Sequence, residues 1–384
     1  MALQWVFWGA IGLILYTYLL YPALLWLITV ARRTSSYPEP TDHPDLSLII
    51  AAYNEADVIA AKINNALELQ YPAKVTIIVV SDGSIDDTNE IVQAYADRCE
   101  VVFLRQENAG KTVAQNTAVQ KASGDLLVFS DANSMYRPDA LKKLVAPFSD
   151  PEVGCVCGEL RYVDSLAHGG VGKGEGFYWR YEQFLKRRES RLGSLVGANG
   201  SIYAIRLDLF EELEPEIISD FIMPIRVCRR GYRVIYEPLA VAEEESAPDF
   251  GGEYRRRRRI IARSIYGLWR ERGALNPFRY PLFSFLATSH KVIRWLVPVC
   301  LLAMLFASSG PAGRGEGPYT VLFGLQLIIY GLALIGLAFP RTLGQSGLFY
   351  LPAYFCAINL GALQAIIDAM IGRRFAVWKP TARS

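Results

Sequence analysis

Between residues 46 and 160, five short apolar runs alternate with helical stretches, and no other feature of the chain narrows its fold as much. The runs are Leu46–Ala52, Val75–Ser81, Val101–Leu104, Asp125–Ser130 and Val153–Gly158. Amphipathic helical patterns fall near 55–68, 86–97, 110–121 and 138–147. Strand-type runs separated in this way predict a parallel sheet wrapped by helices. Ligands of such sheets bind beyond the carboxyl ends of the strands, so the residues that follow each run carry the functional information.

Those residues are polar and chemically related. The first run ends in Ala52-Tyr53-Asn54-Glu55, and the second in Asp82-Gly83-Ser84, with Asp86 and Asp87 opening the next helix. The third leads to Gly110-Lys111 at a helix start, and the fourth to Asp131-Ala132-Asn133. Together they can compose a nucleotide-diphosphate pocket. Tyr53 can stack on a base, Asp82 can accept a ring N–H, and Lys111 at a helix N-terminus can neutralise phosphate oxygens. Asp131 can hold a divalent ion, because hard cations take oxygen ligands. Each element alone has an ordinary structural reading. Asp-Gly-Ser and Asp-Asp-Thr are turn and N-cap chemistry, and a lysine after glycine is a solvated helix start. Asp-x-Asn can be an Asx turn, and Tyr53 a strand-end aromatic. Four in series at one edge of one sheet favour the pocket.

The ends of the chain follow a different rule. Residues 5–30 carry no charge and precede Arg32-Arg33, which predicts a retained membrane span with its C-terminal end in the cytoplasm. Segments 292–309, 319–338 and 347–371 are also long enough to cross, whereas the aromatic-rich 277–291 reads as interfacial. Three crossings after a cytoplasmic domain would leave the C-terminus outside, yet Arg373, Arg374, Lys379 and Arg383 argue for inside. One of these segments is therefore expected to be re-entrant or interfacial. The 52% apolar content is concentrated in these ends.

Composition excludes several classes. A net charge of +2 gives no global field for nucleic acid. The six cysteines include no CxxC; Cys155 and Cys157 share a strand face, while Cys300 and Cys356 lie in apolar segments. Neither a disulfide framework nor a zinc site follows. His43, His168 and His290 are scattered singly, so carboxylates must carry any proton transfer.

At this point the motifs "AAYNE", "SDGSIDDT", "NAGKTVAQN" and "SDANS" resemble those of the membrane-bound family 2 glycosyltransferases. That group contains the hyaluronan, chitin, cellulose and poly-N-acetylglucosamine synthases. The resemblance covers about 45–270 and the flanking membrane segments. It implies an α/β fold of the Rossmann-like GT-A type, in a cytoplasmic domain with N- and C-terminal transmembrane helices. It further implies inverting transfer from a nucleotide sugar, most often a uridine diphosphate sugar, assisted by Mg or Mn. Ala52, Tyr53, Glu55, Asp82, Gly83, Lys111 and Asp131 fall at the donor positions, with Asp131 and Asn133 at the metal.

The resemblance extends downstream. In "EIISDFIMPIRVCRRGYRVIYEP" Asp220 matches the general base, with Ile218-Ser219 in place of the usual Thr-Glu. An inverting transfer needs such a carboxylate to take the proton of the acceptor hydroxyl; without the family, Asp220 reads as a helix cap. The Gln-x-x-Arg-Trp motif of processive synthases is replaced by Arg256-Arg257-Arg258-Arg259-Ile260. Arg256 and Arg259 are the diphosphate candidates, and the Gln and Trp are absent. The remaining arginines belong to a basic amphipathic helix expected to meet lipid headgroups. No interleaved aromatics accompany them, so nucleic acid is not an expected partner. "GSLVGANGSIYAIR" resembles the acceptor-side segment, with Gly197, Asn199 and Gly200; a glycine-rich hairpin turn is the plain alternative. Tyr178, Trp179 and Tyr181 on the preceding helix could stack on sugars, although such clusters are more often core.

The expected organisation is an anchor over 1–34, a GT-A domain over 45–250, basic interfacial helices over 251–291 and a membrane region over 292–384. Three functions follow. The first is extension of a polysaccharide at the cytoplasmic membrane, with room for export or accessory subunits. The second is transfer of a single sugar to a lipid or lipid-linked acceptor, which the missing Gln and Trp favour. The third is a non-catalytic nucleotide-responsive subunit, which the retained Asp131 and Asp220 disfavour.

Overall fold

The uncharged N-terminal run forms α1 (Ala2–Thr29), one helix carrying a π turn at Tyr16–Leu20. Its inner end does not stop at the domain surface. Tyr21 and Leu25 are fully buried in the core below the sheet, and the Tyr21 hydroxyl donates to Glu189 Oε1 at 2.7 Å. The computed structural model describes residues 1–32, 37–38, 40, 42–98, 100–163, 172–245, 250–340, 342–343 and 346–376, with 172–178 by backbone alone. Arg33, His168, Lys379, Arg383 and the side chain of Tyr178 lie outside the described residues.

The alternating segment builds β1 (Leu46–Ala52), α2 (Ala56–Leu67), β2 (Val75–Asp82), α3 (Thr88–Gln93), β3 (Val101–Gln106), α4 (Lys111–Val119) and β4 (Leu126–Asp131). β3, β2, β1 and β4 lie side by side, all parallel. Both faces are covered, so the strands are apolar throughout: Leu48 and Ile50 enter one core, Ile49 and Ala51 the other. Each of these fully buried leucine and isoleucine side chains contributes about 1.5–3 kcal/mol over exposure. Chain progression reverses between β1 and β4, and at that switch point the strand ends open a crevice.

The chain continues through β5 (Met135–Tyr136), α5 (Ala140–Val145), β6 (Val153–Val163), α6 (Gly172–Leu192), β7 (Ile202–Arg206), α7 (Ser219–Arg229) and β8 (Arg233–Glu245). Among the described residues the sheet has eight strands in the order β3-β2-β1-β4-β7-β6-β8-β5, with β7 antiparallel to both β4 and β6. β7 and β8 went unseen in the sequence. β7 is a five-residue strand beside glycines, and β8 carries Pro238 and a terminal glutamate run that hide its period.

Beyond the sheet lie α8 (Phe250–Arg270), α9 (Pro281–Gly313), α10 (Gly317–Ala338) and α11 (Gly347–Met370). The expected separate interfacial segment 277–291 is largely absorbed into α9. Pro281 starts that helix, and a π turn at Thr288–Val292 carries it on without a break. The two π turns face each other, with Tyr16 Oη and Ser289 Oγ 2.7 Å apart. Below them α6 meets both helices: Glu189 Oε1 lies 2.7 Å from His290 Nδ1, and Glu182 pairs with Arg294.

Among the described residues, four helices are long and apolar enough to cross a membrane. α11 is the least hydropathic of them and the most enclosed, with 44% of its apolar window buried against 17–22% for the others. It lies along α8. Tyr350 packs on Phe250 with ring centroids 5.2 Å apart, and Gly361 seats against the backbone of Tyr254. Arg258 clasps Asp368 at 2.5 and 2.8 Å. Arg374, just past α11, reaches Glu216 at 3.8 Å.

Candidate active site

The Tyr53–Glu55 turn is held by the second strand end. Asn54 adopts φ 53°, a left-handed conformation that asparagine tolerates. Its N–H donates to Ser84 Oγ (3.1 Å), and Ile85 N–H donates back to Asn54 Oδ1 (2.9 Å). Glu55 N–H donates to Thr88 Oγ1 (2.8 Å) and Ala56 N–H to Asp86 Oδ2 (3.1 Å). The Asp-Asp-Thr stretch thus caps α2 from outside that helix. Burial would raise the Asp86 carboxyl, but bonds from Thr88 and from backbone N–H groups hold it below the usual range.

Asp82 is fully buried and already engaged. Its Oδ1 accepts from Gln106 Nε2 (2.7 Å) and Ala109 N–H (2.9 Å), and its Oδ2 from Gly110 N–H (2.8 Å). In this conformation its carboxylate shapes the turn that delivers Lys111. Gly83 closes against the same turn, since a Cβ there would lie 2.6 Å from Asn108 N. Ala52 is buried and Tyr53 half-buried at the end of β1.

The centre of the crevice joins three strand ends and α7. Lys111, at the first position of α4, forms an ion pair with Asp131 Oδ1 at the end of β4, and Ser201 Oγ donates to Asp131 Oδ2 at 3.1 Å. Burial alone would raise the Asp131 carboxyl, but Lys111 outweighs it and holds it below the usual range. Asp220 lies in the first turn of α7, where Ile218 is the N-cap and no side chain caps the helix. Asp220 instead faces Gly200: a Cβ there would come within 2.8 Å of Asp220 Oδ2 and 3.3 Å of Lys111 Nζ. The absence of a side chain at 200 therefore opens the space between base candidate and lysine. Burial raises the Asp220 carboxyl and Asp131 adds to the rise, against Lys111, Lys186 and Arg263.

The acceptor-side loop is anchored rather than free. Ala198 N–H donates to the Asp220 carbonyl (2.7 Å), and Gly197 takes φ 111° against Phe221. Asn199 turns away from the crevice. Its Nδ2 donates to Gly158 O (2.8 Å), and its Oδ1 accepts from the buried Lys186. Trp179 and Tyr181 are engaged elsewhere: Trp179 stacks on Tyr162 with centroids 5.6 Å apart, and Tyr181 Oη donates to Thr17 O at 2.9 Å.

The arginine helix divides its labour by face. Arg256, Arg259 and Arg263 recur at i, i+3 and i+7 and so share one face of α8. Arg256 and Arg259 both interact electrostatically with Asp131, and Arg259 also with Asp220. Arg256 donates to Tyr162 Oη (3.1 Å). Arg263 is buried, donating to Thr112 Oγ1 and to the carbonyls of Pro215, Glu216 and Ile217. Burial and the neighbouring Arg259 push its guanidinium down to about 10. The expectation that the rest meet lipid is corrected for two: Arg257 pairs with Glu253 and Arg258 with Asp368.

Residues 47–214 match the sequence model of glycosyl transferase family 2. This segment is a family 2 glycosyltransferase domain. The chain is 26% identical over 270 residues to a poly-beta-1,6-N-acetyl-D-glucosamine synthase of Staphylococcus aureus, covering 67% of this chain and 63% of that relative. It is 28% identical over 239 residues to an N-acetylglucosaminyltransferase of Rhizobium sp., covering 58% and 53%. The chain therefore matches less than two thirds of the length of these relatives. A mannosyltransferase from Pyrobaculum calidifontis, solved with GDP-Man and Mn2+, superposes with a TM-score of 0.73 over 97% of this chain and 98% of its own, at 22% identity. The fold of the glycosyltransferase domain is GT-A.

The donor set of the domain suits a hard divalent ion. Asp131 and Asn133 offer oxygens at one strand end, and among the described residues no group of three or more His, Cys, Asp or Glu forms a closed metal cage. An ion held there would complete its shell with diphosphate and water, the usual habit of Mg and Mn. Sequence reasoning missed Ser201, Glu244, Lys186 and Arg263. Helical spacing from Arg259 could have found Arg263, and Ser201 lies within the acceptor-side segment directly after Gly200; Glu244 and Lys186 carry no motif.

Proposed function

We propose that this chain transfers a sugar, with inversion, from a nucleotide sugar to a growing polysaccharide at the cytoplasmic face of a membrane. The observation that carries the reading is the meeting of Asp220, Gly200, Lys111 and Asp131 at the switch point of a GT-A sheet. Asp220 takes the proton of the acceptor hydroxyl as that oxygen attacks the anomeric carbon and the bond to the diphosphate breaks. Lys111, Arg256 and Arg259 stabilise the charge of the departing nucleoside diphosphate. Asp131 and Asn133 would hold Mg or Mn, which supplies further charge neutralisation when bound. Tyr53, Glu55 and the Asp82–Gly83 turn form the wall toward the base; Gly197 and Gly200 leave room for the acceptor, and Asn199 holds that loop in place.

The relatives' names support an N-acetylglucosamine donor, the resemblance of the strand-end motifs favours uridine diphosphate as its carrier, and the structural neighbour's complex keeps a guanosine donor in the panel. Ile260 in place of the family's tryptophan favours single transfer to a lipid-linked acceptor as the second reading. Nucleoside-diphosphate release by the purified full chain, with Mn or Mg across a panel of UDP- and GDP-sugars, tests the proposal. Product sizing then separates the two readings: high-mass product supports the synthase, and a single-sugar lipid supports the alternative. Release from no donor, with no donor binding by calorimetry, would overturn both.

The membrane reading follows from α11. Both of its ends rest on α8, through Phe250–Tyr350 and Arg258–Asp368, and Arg374 just past it reaches Glu216 of the glycosyltransferase domain. On this reading α1, α9 and α10 cross and α11 lies along the interface, which would put the C-terminus on the catalytic side. That arrangement reconciles the count of apolar segments with the basic residues that follow them.

A further inference from the structure

Asn133 poses a chemical question that Asp131 does not. Its amide presents an oxygen on one side and an NH2 on the other, and a half-turn of the side chain exchanges them. Only the oxygen can ligate a cation. Something must fix which way it points.

The structure supplies that group in Glu244, on β8. Its Oε1 accepts from Asn133 Nδ2 at 2.8 Å. Its Oε2 accepts from Ser134 Oγ at 3.2 Å and lies 3.4 Å from Ser201 Oγ, the hydroxyl that also donates to Asp131 Oδ2. β8 reaches this position through its pairing with β5, in which Met135 stands opposite Glu243. Donors from two chain segments thus converge on one carboxylate, with Arg256 as its cationic neighbour. A carboxylate accepts and does not donate, so Asn133 must offer it the NH2 and turn Oδ1 away. We propose that Glu244 is a positioning residue that holds the Asn133 amide with its oxygen toward the divalent ion. This rests on the reading of Asp131 and Asn133 as the metal residues.

The test is Mn2+ titration of the detergent-purified full chain by electron paramagnetic resonance, with Mn2+ alone and with UDP or GDP. Glu244→Ala should weaken Mn2+ binding about tenfold, as loss of a ligand's supporting hydrogen bond typically does. Glu244→Gln keeps an oxygen that accepts from Asn133 and should stay within about threefold of the parent protein. In an Asn133→Asp background there is no amide to orient, and Glu244→Ala should then leave Mn2+ affinity undiminished. Equal weakening in both backgrounds, no weakening in the parent, or a tenfold loss in Glu244→Gln would each overturn the proposal. Should Glu244→Ala fail to fold, Glu244→Met replaces it in both backgrounds; should that fail too, the glutamine variant decides. A parent protein that binds no Mn2+ under any condition removes the metal reading, and this inference with it. Binding indifferent to Glu244 removes the inference alone.

Discussion

Asp220 is the residue on which the proposed chemistry turns, and its surroundings set opposing demands. Burial and Asp131 push its carboxyl up, whereas Lys111, Lys186 and Arg263 keep ionisation within reach. Asp220→Asn should cut transfer by about 10²–10⁴-fold, the range for a lost general base, while donor binding by calorimetry persists. Because the base must be ionised and its folded value is raised, kcat/KM should fall on acidification through a midpoint above that of an ordinary aspartate. A rate that stays flat down to about pH 4, or an active Asp220→Asn, would remove it from the role. Gly200→Ala tests the same spot sterically. A methyl group 2.8 Å from Asp220 Oδ2 must displace that carboxylate, so transfer should fall while donor affinity changes little; an unchanged rate would show that the gap is not needed. At this scale the sequence was readable where a motif spans consecutive residues, as in Ser130–Ser134. Glu244 was not, because one glutamate in a run of three carries no spacing that singles it out.

At the scale of elements, α8 shows why a charge run misleads until its helical phase is known. Five consecutive arginines look alike in sequence, yet successive residues turn about 100° and meet different surroundings. Arg256 and Arg259 face the crevice, while Arg258 meets Asp368 on a helix that otherwise reads as membrane-embedded. Asp368 is fully buried and Arg258 is 22% exposed. Asp368→Asn should therefore lower stability by roughly 2–4 kcal/mol, less than a fully enclosed pair because water reaches the arginine. Thermal unfolding in detergent checks this. Replacing both partners, Arg258→Met with Asp368→Leu, should restore most of the loss; an Asp368→Asn protein as stable as the parent would show that the clasp contributes nothing. The same blindness to phase explains α11. Hydropathy counts its apolar residues but not that Tyr350, Ala353, Ala357, Gly361 and Ala365 form a stripe of small and aromatic side chains packed inward.

For the whole molecule, the alternating core was legible because each strand and helix there obeys its own period, and the parallel half of the sheet follows from that alternation, whereas the GT-A type rested on the resemblance of the motifs. The second half of the sheet was not, since β7 and β8 take their place from partners far away in sequence. Sidedness is the testable property at this scale. In sealed vesicles, a tag after the C-terminus should share the protease protection of the catalytic domain, and a probe at Gly315→Cys, between α9 and α10, should show the opposite. Both probes on one side would show that α11 crosses.

The buried inner turns of α1 have a consequence for how the molecule is made. Tyr21 and Leu25 fill a slot beneath the sheet, and Tyr21 meets the Glu189 carboxylate, which also meets His290 of α9. A ribosome delivers the first helix long before β7 or α9 exists, so this wall of the core is made first and waits for the rest of the chain. A version trimmed to residues 45–250 would lack not a tether but a piece of its own interior.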